Sequence, residues 1–239
     1  MGRVRLYLDQ PLGEGQTLPL SHAHAHYLFG VMRMGAGDRL AVFDGRSGEW
    51  EAEVARAGKR AGELTCLGRS RELQVPPDLW LLFAPIKKAR TDFIVEKAAE
   101  LGVRRIVPVQ TTFTNAERVR QDRLQAHAIE AAEQCGGTFV PEVTAAVRLD
   151  TALTSLGDRR LMFCDEALVG TNSAGRLPDA PGPWAILIGP EGGFSEDERT
   201  RLAALPTAHA VSLGPRILRA DTAAVAALTL WQMQLGDWA

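Results

Sequence analysis

Two short apolar runs in the C-terminal third, Ala185–Ile188 and Ala210–Leu213, each pass directly into a glycine–proline pair, Gly189-Pro190 and Gly214-Pro215. An apolar run of this length ended by a breaker has the pattern of an interior strand of an α/β sheet. Both loops then leave the carboxyl ends of strands, the edge at which open α/β sheets bind ligands. Gly189, Gly192, Gly193 and Gly214 permit close backbone approaches that a side chain would block. Ser195 followed three residues later by Glu198 is a capping-box pattern, so a helix starts there. The second loop is followed by Arg216, Arg219, Asp221 and Thr222 and by an alanine-rich helix over Thr222–Leu235. A glycine-walled crevice with guanidiniums beside it suits a nucleoside-containing ligand and an anionic partner.

A chain of 239 residues makes one or two domains. With 46% hydrophobic and 23% charged residues its composition is that of an ordinary globular protein. No secretory leader and no bilayer-length apolar segment is present in the sequence. Cys66, Cys135 and Cys164 are widely spaced and form no C-x-x-C pair, the usage of reduced thiols in a cytoplasmic protein. The net charge of −2 excludes a globally basic nucleic-acid binder. Residues 1–72 carry a net +1 and the remainder a net −3, so an anionic partner must be held by a local patch.

Residues 1–72 read as a separate β-rich unit. Arg3–Leu8 alternates like an edge strand, and Arg39–Phe43 and Glu49–Val54 flank a glycine-containing hairpin loop. Gly62–Leu67 is a further strand, and Ser21–Met34 has the apolar face of a helix, which together imply a small barrel with one inserted helix. His22, His24 and His26 spread around too wide an arc of that helix to converge on one ion, and no metal site is expected. The segment Glu72–Asp78, with Pro76-Pro77, marks the linker. Beyond it Leu79–Ala84, Thr91–Leu101 and Arg105–Val109 form a β–α–β unit with a parallel strand pair. Helix Arg123–Gln134 and strand Leu161–Cys164 follow, the strand ending at Asp165 and Glu166. Lys87, Lys88 and Arg90 stand at the carboxyl end of the first strand of that unit, on the ligand-facing edge.

The sequence I-G-P-E-G-G-F-S-x-x-E followed by S-L-G-P-R-I-L-R-A-D-T-A resembles the RsmE-type 16S ribosomal RNA uridine N3-methyltransferases of the SPOUT superfamily. The resemblance extends over nearly the whole chain, through A-H-Y-L-x-x-V-M-R-M-x-x-G-D, F-D-G-R-x-G-E-W and the K-x-x-R-x-D-x-x-x-E-K segment from Lys87. Three positions depart from the family pattern: Asp221 stands for a glutamate, Cys135 for a serine and Gly137 for an arginine. The implied architecture is α/β. A PUA-like RNA-binding β-barrel domain (1–72) precedes a SPOUT methyltransferase domain (73–239) with a mostly parallel sheet and a trefoil knot.

The resemblance implies S-adenosylmethionine as cofactor, 16S ribosomal RNA or the small ribosomal subunit as partner, and a homodimer. Cofactor contacts are expected from Glu166, from Ile188, Gly189, Pro190, Gly192 and Gly193, and from Leu213, Gly214, Ile217, Leu218 and Thr222. N3 of uridine is a poor nucleophile while protonated. Arg219 is therefore expected to stabilise the charge developing on the uracil oxygens, with Glu191 or Asp221 as proton acceptor or orienting carboxylate. Arg3, Arg5, Arg33, Lys87, Lys88, Arg90 and Arg216 are the expected RNA contacts, lining a groove between the domains. Two other classes compete. A ribose 2′-O-methyltransferase of the SpoU branch would carry asparagine motifs whose contexts Asn115 and Asn172 lack, and a non-catalytic RNA-binding module would not bind the cofactor.

Overall fold

The structure, a computed structural model, describes residues 4–58, 60–115, 119–169, 177–180 and 182–239; Arg3 and Asn172 lie outside these. The chain divides into two units, Met1–Val75 with Ala132–Phe139, and Pro76–Ala131 with Val140–Ala239.

The first unit is built on strands β1 (Arg5–Tyr7), β2 (Thr17–Pro19), β3 (Arg39–Phe43), β4 (Glu49–Arg56) and β5 (Glu63–Arg71). They form one sheet in the order β1-β3-β4-β5-β2, with β1 parallel to β3 and the other pairs antiparallel. Leu6, Leu18, Leu40, Val42, Val54 and Leu64 share its core. The β3–β4 hairpin closes as the sequence predicts. The Asp44 carboxylate accepts from the N–H groups of Arg46 and Ser47, and a Cβ on Gly48 would lie 2.3 Å from the Arg71 carbonyl oxygen. The expected helix over Ser21–Met34 is shorter and of two kinds. Helix α1 (His22–Ala25), capped by Ser21, widens over His26–Val31 into π geometry, with Met32 N–H bonding back to Tyr27. A Cβ on Gly30 would sit 3.0 Å from His26 Nδ1, so the imidazole rests against bare backbone.

Arg5 ties the 132–139 segment into this unit. Its guanidinium pairs with Glu49 at 2.8 Å and donates to the carbonyls of Ala132, Glu133 and Gly137. Its face lies 4.7 Å from the Phe43 ring centroid. The Glu133 carboxylate accepts the Tyr7 N–H at 2.7 Å, covering a donor on edge strand β1. Arg5, expected among the RNA contacts, is thus corrected: nearly all its donors are spent on the fold, which leaves little for a phosphate.

The second unit contains β6 (Leu79–Phe83), α2 (Lys88–Glu100), β7 (Arg105–Gln110) and α3 (Gln121–Cys135), whose end passes into the 132–139 segment. It continues with β8 (Glu142–Val143), β9 (Val147–Arg148), α4 (Leu149–Thr154), β10 (Arg160–Cys164), β11 (Trp184–Ile188), α5 (Glu196–Ala203), β12 (Ala208–Val211) and α6 (Ala220–Leu235). The strand order is β12-β10-β11-β6-β7-β8, with β9 also on β7, and every pair is parallel. Side chains alternate across a sheet. Trp184, Ile186 and Ile188 of β11 enter a core with α2 and α6, while Ala185 and Leu187 enter another with α4 and α5. A sheet covered on both faces explains why its strands read as continuous apolar runs.

Gln232 of α6 is fully buried. Its Nε2 donates to the Leu101 carbonyl at 2.6 Å and its Oε1 accepts from Asp237 N–H at 3.2 Å, so it fastens α6 to the end of α2. Gln232→Leu leaves both groups unpaired and is expected to destabilise the protein by about 1–3 kcal/mol in chemical denaturation. A midpoint equal to that of the wild type would show that water replaces the amide.

Candidate functional site

The parallel register aligns Cys164, Ile188 and Val211 at the ends of β10, β11 and β12. Three loops therefore leave one edge of the sheet side by side, and a cleft with about 590 Å³ of free space, part of it open to solvent, lies among them. The loop after β10 contributes Asp165, Glu166 and Val169, and the loop after β11 contributes Gly189, Pro190, Glu191, Gly193 and Phe194. Leu213, Arg216, Ile217 and Leu218 come from the loop after β12, and Ala220 and Ala223 from α6 close the cleft.

Local chemistry explains the shape of these loops. Strand β12, expected as an interior strand over Ala210–Leu213, is instead the edge strand of the sheet over Ala208–Val211 with only Val211 buried, and the Ser212 hydroxyl engages the backbone of Gly214. The Ser195–Glu198 capping box forms as expected and starts α5. Gly193 has φ +68°, and a Cβ there would lie 2.2 Å from Glu166 Oε1, so the carboxylate occupies the space a side chain would need. A Cβ on Gly189 would meet the Phe194 ring at 3.1 Å. The loop is folded so closely that Gly189 lies against the Phe194 ring of the same loop and Gly193 against Glu166 of the loop after β10.

Most expected cofactor residues meet in the cleft: Glu166, Ile188, Gly189, Pro190 and Gly193, then Leu213, Ile217 and Leu218. Gly192, Gly214 and Thr222 do not line it. Gly192 faces Phe113, Gly214 has φ +117° with open space where a Cβ would go, and Thr222 is exposed at the start of α6. Of the expected catalytic set, only Glu191 lines the cleft; Arg219 is the exposed N-cap of α6. Arg216, placed with the RNA contacts by sequence, is a wall of the cleft. Asp165 and Val211 carry no sequence assignment, although their places at strand ends mark them; Val169 and Phe194 lie farther along the loops and have no such mark. Phe113, half exposed beside Gly192, gives no sequence signal.

Charge around the cleft is ordered by two arginines. Arg199 of α5 reaches Asp165 at 3.4 Å and Glu166 at 3.7 Å. Arg90 of α2 stands between Glu191, at 3.5 Å, and Asp221, at 3.9 Å. Its Nη1 is buried and makes no hydrogen bond among the described residues. Burial pushes the Cys164 thiol up to about 12, so this cleft residue is no nucleophile at neutral pH. Lys87 and Lys88 are exposed beside the same sheet edge. Arg33, in the first unit, is exposed with φ +58°, a left-handed backbone that is uncommon outside glycine.

Glu198 connects the loops from beneath. Burial alone would raise the pKa of its carboxyl, but hydrogen bonds from Ser195 and Thr112 more than offset this and hold it below the usual carboxylate range. A depressed folded-state value stabilises the protein above the unfolded carboxyl pKa of about 4.3, and that stability is lost as pH falls through the folded value. Glu198→Gln is expected to cost about 1–3 kcal/mol at pH 7. The gap to wild type should narrow as denaturation is repeated at progressively lower pH below that range; a gap independent of pH would rule out the ionised carboxylate as the cause.

No group of three or more His, Cys, Asp or Glu side chains among the described residues is placed to hold a metal ion, and no described helix is long and apolar enough to cross a membrane.

Residues 73–232 match the family model for an RNA methyltransferase domain, and residues 23–65 match that for an RNA methyltransferase PUA domain. The ribosomal RNA small subunit methyltransferase E of Rickettsia conorii is 30% identical over 94% of this chain and 93% of its own. A methyltransferase from Legionella pneumophila, solved with bound SAM, superposes with a TM-score of 0.91 at 30% identity over 99% of this chain and all of its own. The ribosomal RNA small subunit methyltransferase E of Neisseria gonorrhoeae, bound to S-adenosyl methionine, gives 0.90 at 28% identity over the whole of both chains.

Proposed function

The chain belongs to the RNA methyltransferase family of the ribosomal RNA small subunit methyltransferase E type, and on that premise we propose that it transfers a methyl group from S-adenosylmethionine to N3 of a uridine in 16S ribosomal RNA. One observation carries this reading: the cleft walled by the 188–194 and 213–218 loops lies at the carboxyl edge of the parallel sheet.

The cleft residues fit the cofactor. Ile188, Val211, Leu213 and Leu218 offer apolar contact for a purine ring, bare backbone at Gly189 and Gly193 offers hydrogen bonds, and Asp165 or Glu166 can accept from ribose hydroxyls. S-adenosylmethionine supplies an activated methyl group and its own leaving group. The chain's residues must align N3 with that methyl and deal with the N3 proton. Glu191 or Asp221 accepts the proton, and Arg219 at the head of α6 stabilises the charge that spreads to O2 and O4. Arg90, held by both carboxylates, joins this set and fixes their orientation.

The PUA-like unit contacts RNA through Arg33, whose exposed, left-handed position presents its side chain to solvent. The enzyme acts in the cytoplasm as a homodimer with the knotted topology of its superfamily. Exposed Met233 of α6, Phe93 of α2 and Trp238 supply apolar surface for a second copy. Light scattering is expected to give twice the chain mass at micromolar concentration, and a monomer there would reject the dimer. Nucleoside mass spectrometry tests the activity: 16S ribosomal RNA from a strain lacking the protein should lose one N3-methyluridine. Loss of a ribose-methylated nucleoside instead would assign the chain to the 2′-O branch.

A further inference from the structure

A second cavity, with about 900 Å³ of free space partly open to solvent, shares no lining residue with the cofactor cleft. Lys87 and Lys88, at the head of α2, contribute to one side, and Arg120 and Arg123, at the head of α3, to another. Asn115, from the loop after β7, completes the rim. Four cations thus surround one space against a single lining carboxylate, Asp92. That carboxylate is already engaged: it pairs with Arg123 and faces His127 at 3.7 Å. Asp122 holds Arg120 at 2.5 Å. The ammonium groups of Lys87 and Lys88 have no partner among the described residues.

Lys87 and Lys88 are thus held beside two paired arginines without counter-charge of their own, and a site that keeps such charges together is suited to an anion. Two point-like ammoniums and two planar guanidiniums match phosphate oxygens. The space exceeds what one phosphate fills, and Asn115 adds a neutral donor and acceptor suited to a sugar or base edge.

We propose that this cavity grips the sugar–phosphate backbone of single-stranded substrate RNA next to the target uridine. This rests on the RNA reading above and adds Arg120, Arg123 and Asn115 to it. Position along α2 supports the assignment. Lys88 lines this cavity, while Arg90, two residues on, pairs with Glu191 of the cofactor cleft. Two residues turn a helix by roughly 200°, so the two side chains leave opposite sides of a helix about 10 Å across. That distance is about one to two nucleotides of extended strand. One helical turn then holds the backbone on one side and faces the reacting base on the other.

The test measures binding of a 16S ribosomal RNA transcript against salt for the full chain, with S-adenosylmethionine affinity measured in parallel by calorimetry. Lys87→Ala/Lys88→Ala and Arg120→Ala are expected to flatten the slope of log K against log salt by about 0.7 for each lost phosphate contact. Arg201→Ala, at an exposed pair with Asp150, serves as control and should leave the slope unchanged. Cofactor affinity should be unaffected in all of them. Unchanged slopes in both cavity variants, in a wild type that methylates RNA, would overturn the cavity assignment and leave the activity standing. Tight binding of inorganic phosphate or pyrophosphate with unchanged RNA slopes would assign the cavity to a free anion and overturn it likewise. A wild type that binds neither RNA nor S-adenosylmethionine would overturn both. Should the lysine variant also lose cofactor binding, Lys87→Arg/Lys88→Arg must restore the wild-type slope, and failure to do so refutes the assignment.

Discussion

Replacing Gly193 by alanine is expected to weaken S-adenosylmethionine binding about 10–100-fold. The strain of a Cβ held at φ +68°, about 1–2 kcal/mol, is present with and without ligand and lowers stability rather than affinity. Affinity falls because the new Cβ would lie 2.2 Å from Glu166 Oε1, so the carboxylate must leave the cleft wall. Loss of the hydrogen bond proposed between Glu166 and a ligand hydroxyl costs about 1.5–3 kcal/mol, and each 1.4 kcal/mol is a factor of ten. Gly214→Ala is the internal comparison. Its φ of +117° carries strain, yet its Cβ would meet nothing within 4 Å, so a smaller loss is expected. Calorimetry on both variants decides the matter: a Kd for Gly193→Ala within threefold of wild type would remove the 188–194 loop from the cofactor site.

Arg90→Ala is expected to lower the single-turnover rate at saturating RNA by about 10²-fold, the low end of what a positioned general base contributes, because both candidate proton acceptors lose the guanidinium that orients them. Cofactor affinity should change little, because Arg90 is not part of the cleft wall. Its ion pairs to Glu191 and Asp221 place one guanidinium between the two candidate proton acceptors. Arg90→Lys should recover little of the rate, since a single ammonium cannot reproduce the planar fork. Arg219→Ala provides the contrast, with the same readouts. A variant at either position that loses only RNA affinity, and keeps its saturated rate, moves that arginine from the chemistry to the holding of the strand.

Asp221 bears on the same point. Its side chain meets Arg90 only at 3.9 Å, while its Oδ1 accepts the Thr222 N–H at 3.0 Å. The carboxylate is therefore divided between capping the first turn of α6 and holding Arg90.

Strands β6, β7, β10 and β11 of the second unit were legible because both faces of their sheet are covered. Burial on both faces demands continuous apolar runs, and such runs are cut by visible breakers. The capping box at Ser195 and the hairpin at Asp44–Gly48 were legible for a related reason, since each is satisfied by residues within a few positions of one another. Short elements escaped. β2, β8 and β9 have two or three residues each, too few for a period to show. The change from α to π geometry at His26, where the imidazole lies against Gly30, is encoded by no pattern of hydrophobicity.

Among the charged residues the division is sharper. Sequence alone determined that a glycine–proline loop follows the buried strand β11 and which residue types stand near it, whereas the second such loop follows edge strand β12, in which only Val211 is buried. It could not distinguish Arg5, spent on three backbone carbonyls and Glu49, from Arg33, exposed to solvent. Nor could it tell that Arg90 pairs with carboxylates more than 100 residues away, that Arg216 walls the cleft at the sheet edge, or that Arg120 and Arg123 complete a basic cavity with Lys87 and Lys88. The physical reason is that hydrophobic burial is set by each segment's own periodicity and is written locally. The role of a charge depends on which opposite charge or carbonyl the folded chain brings within a few ångströms, and only tertiary structure decides that.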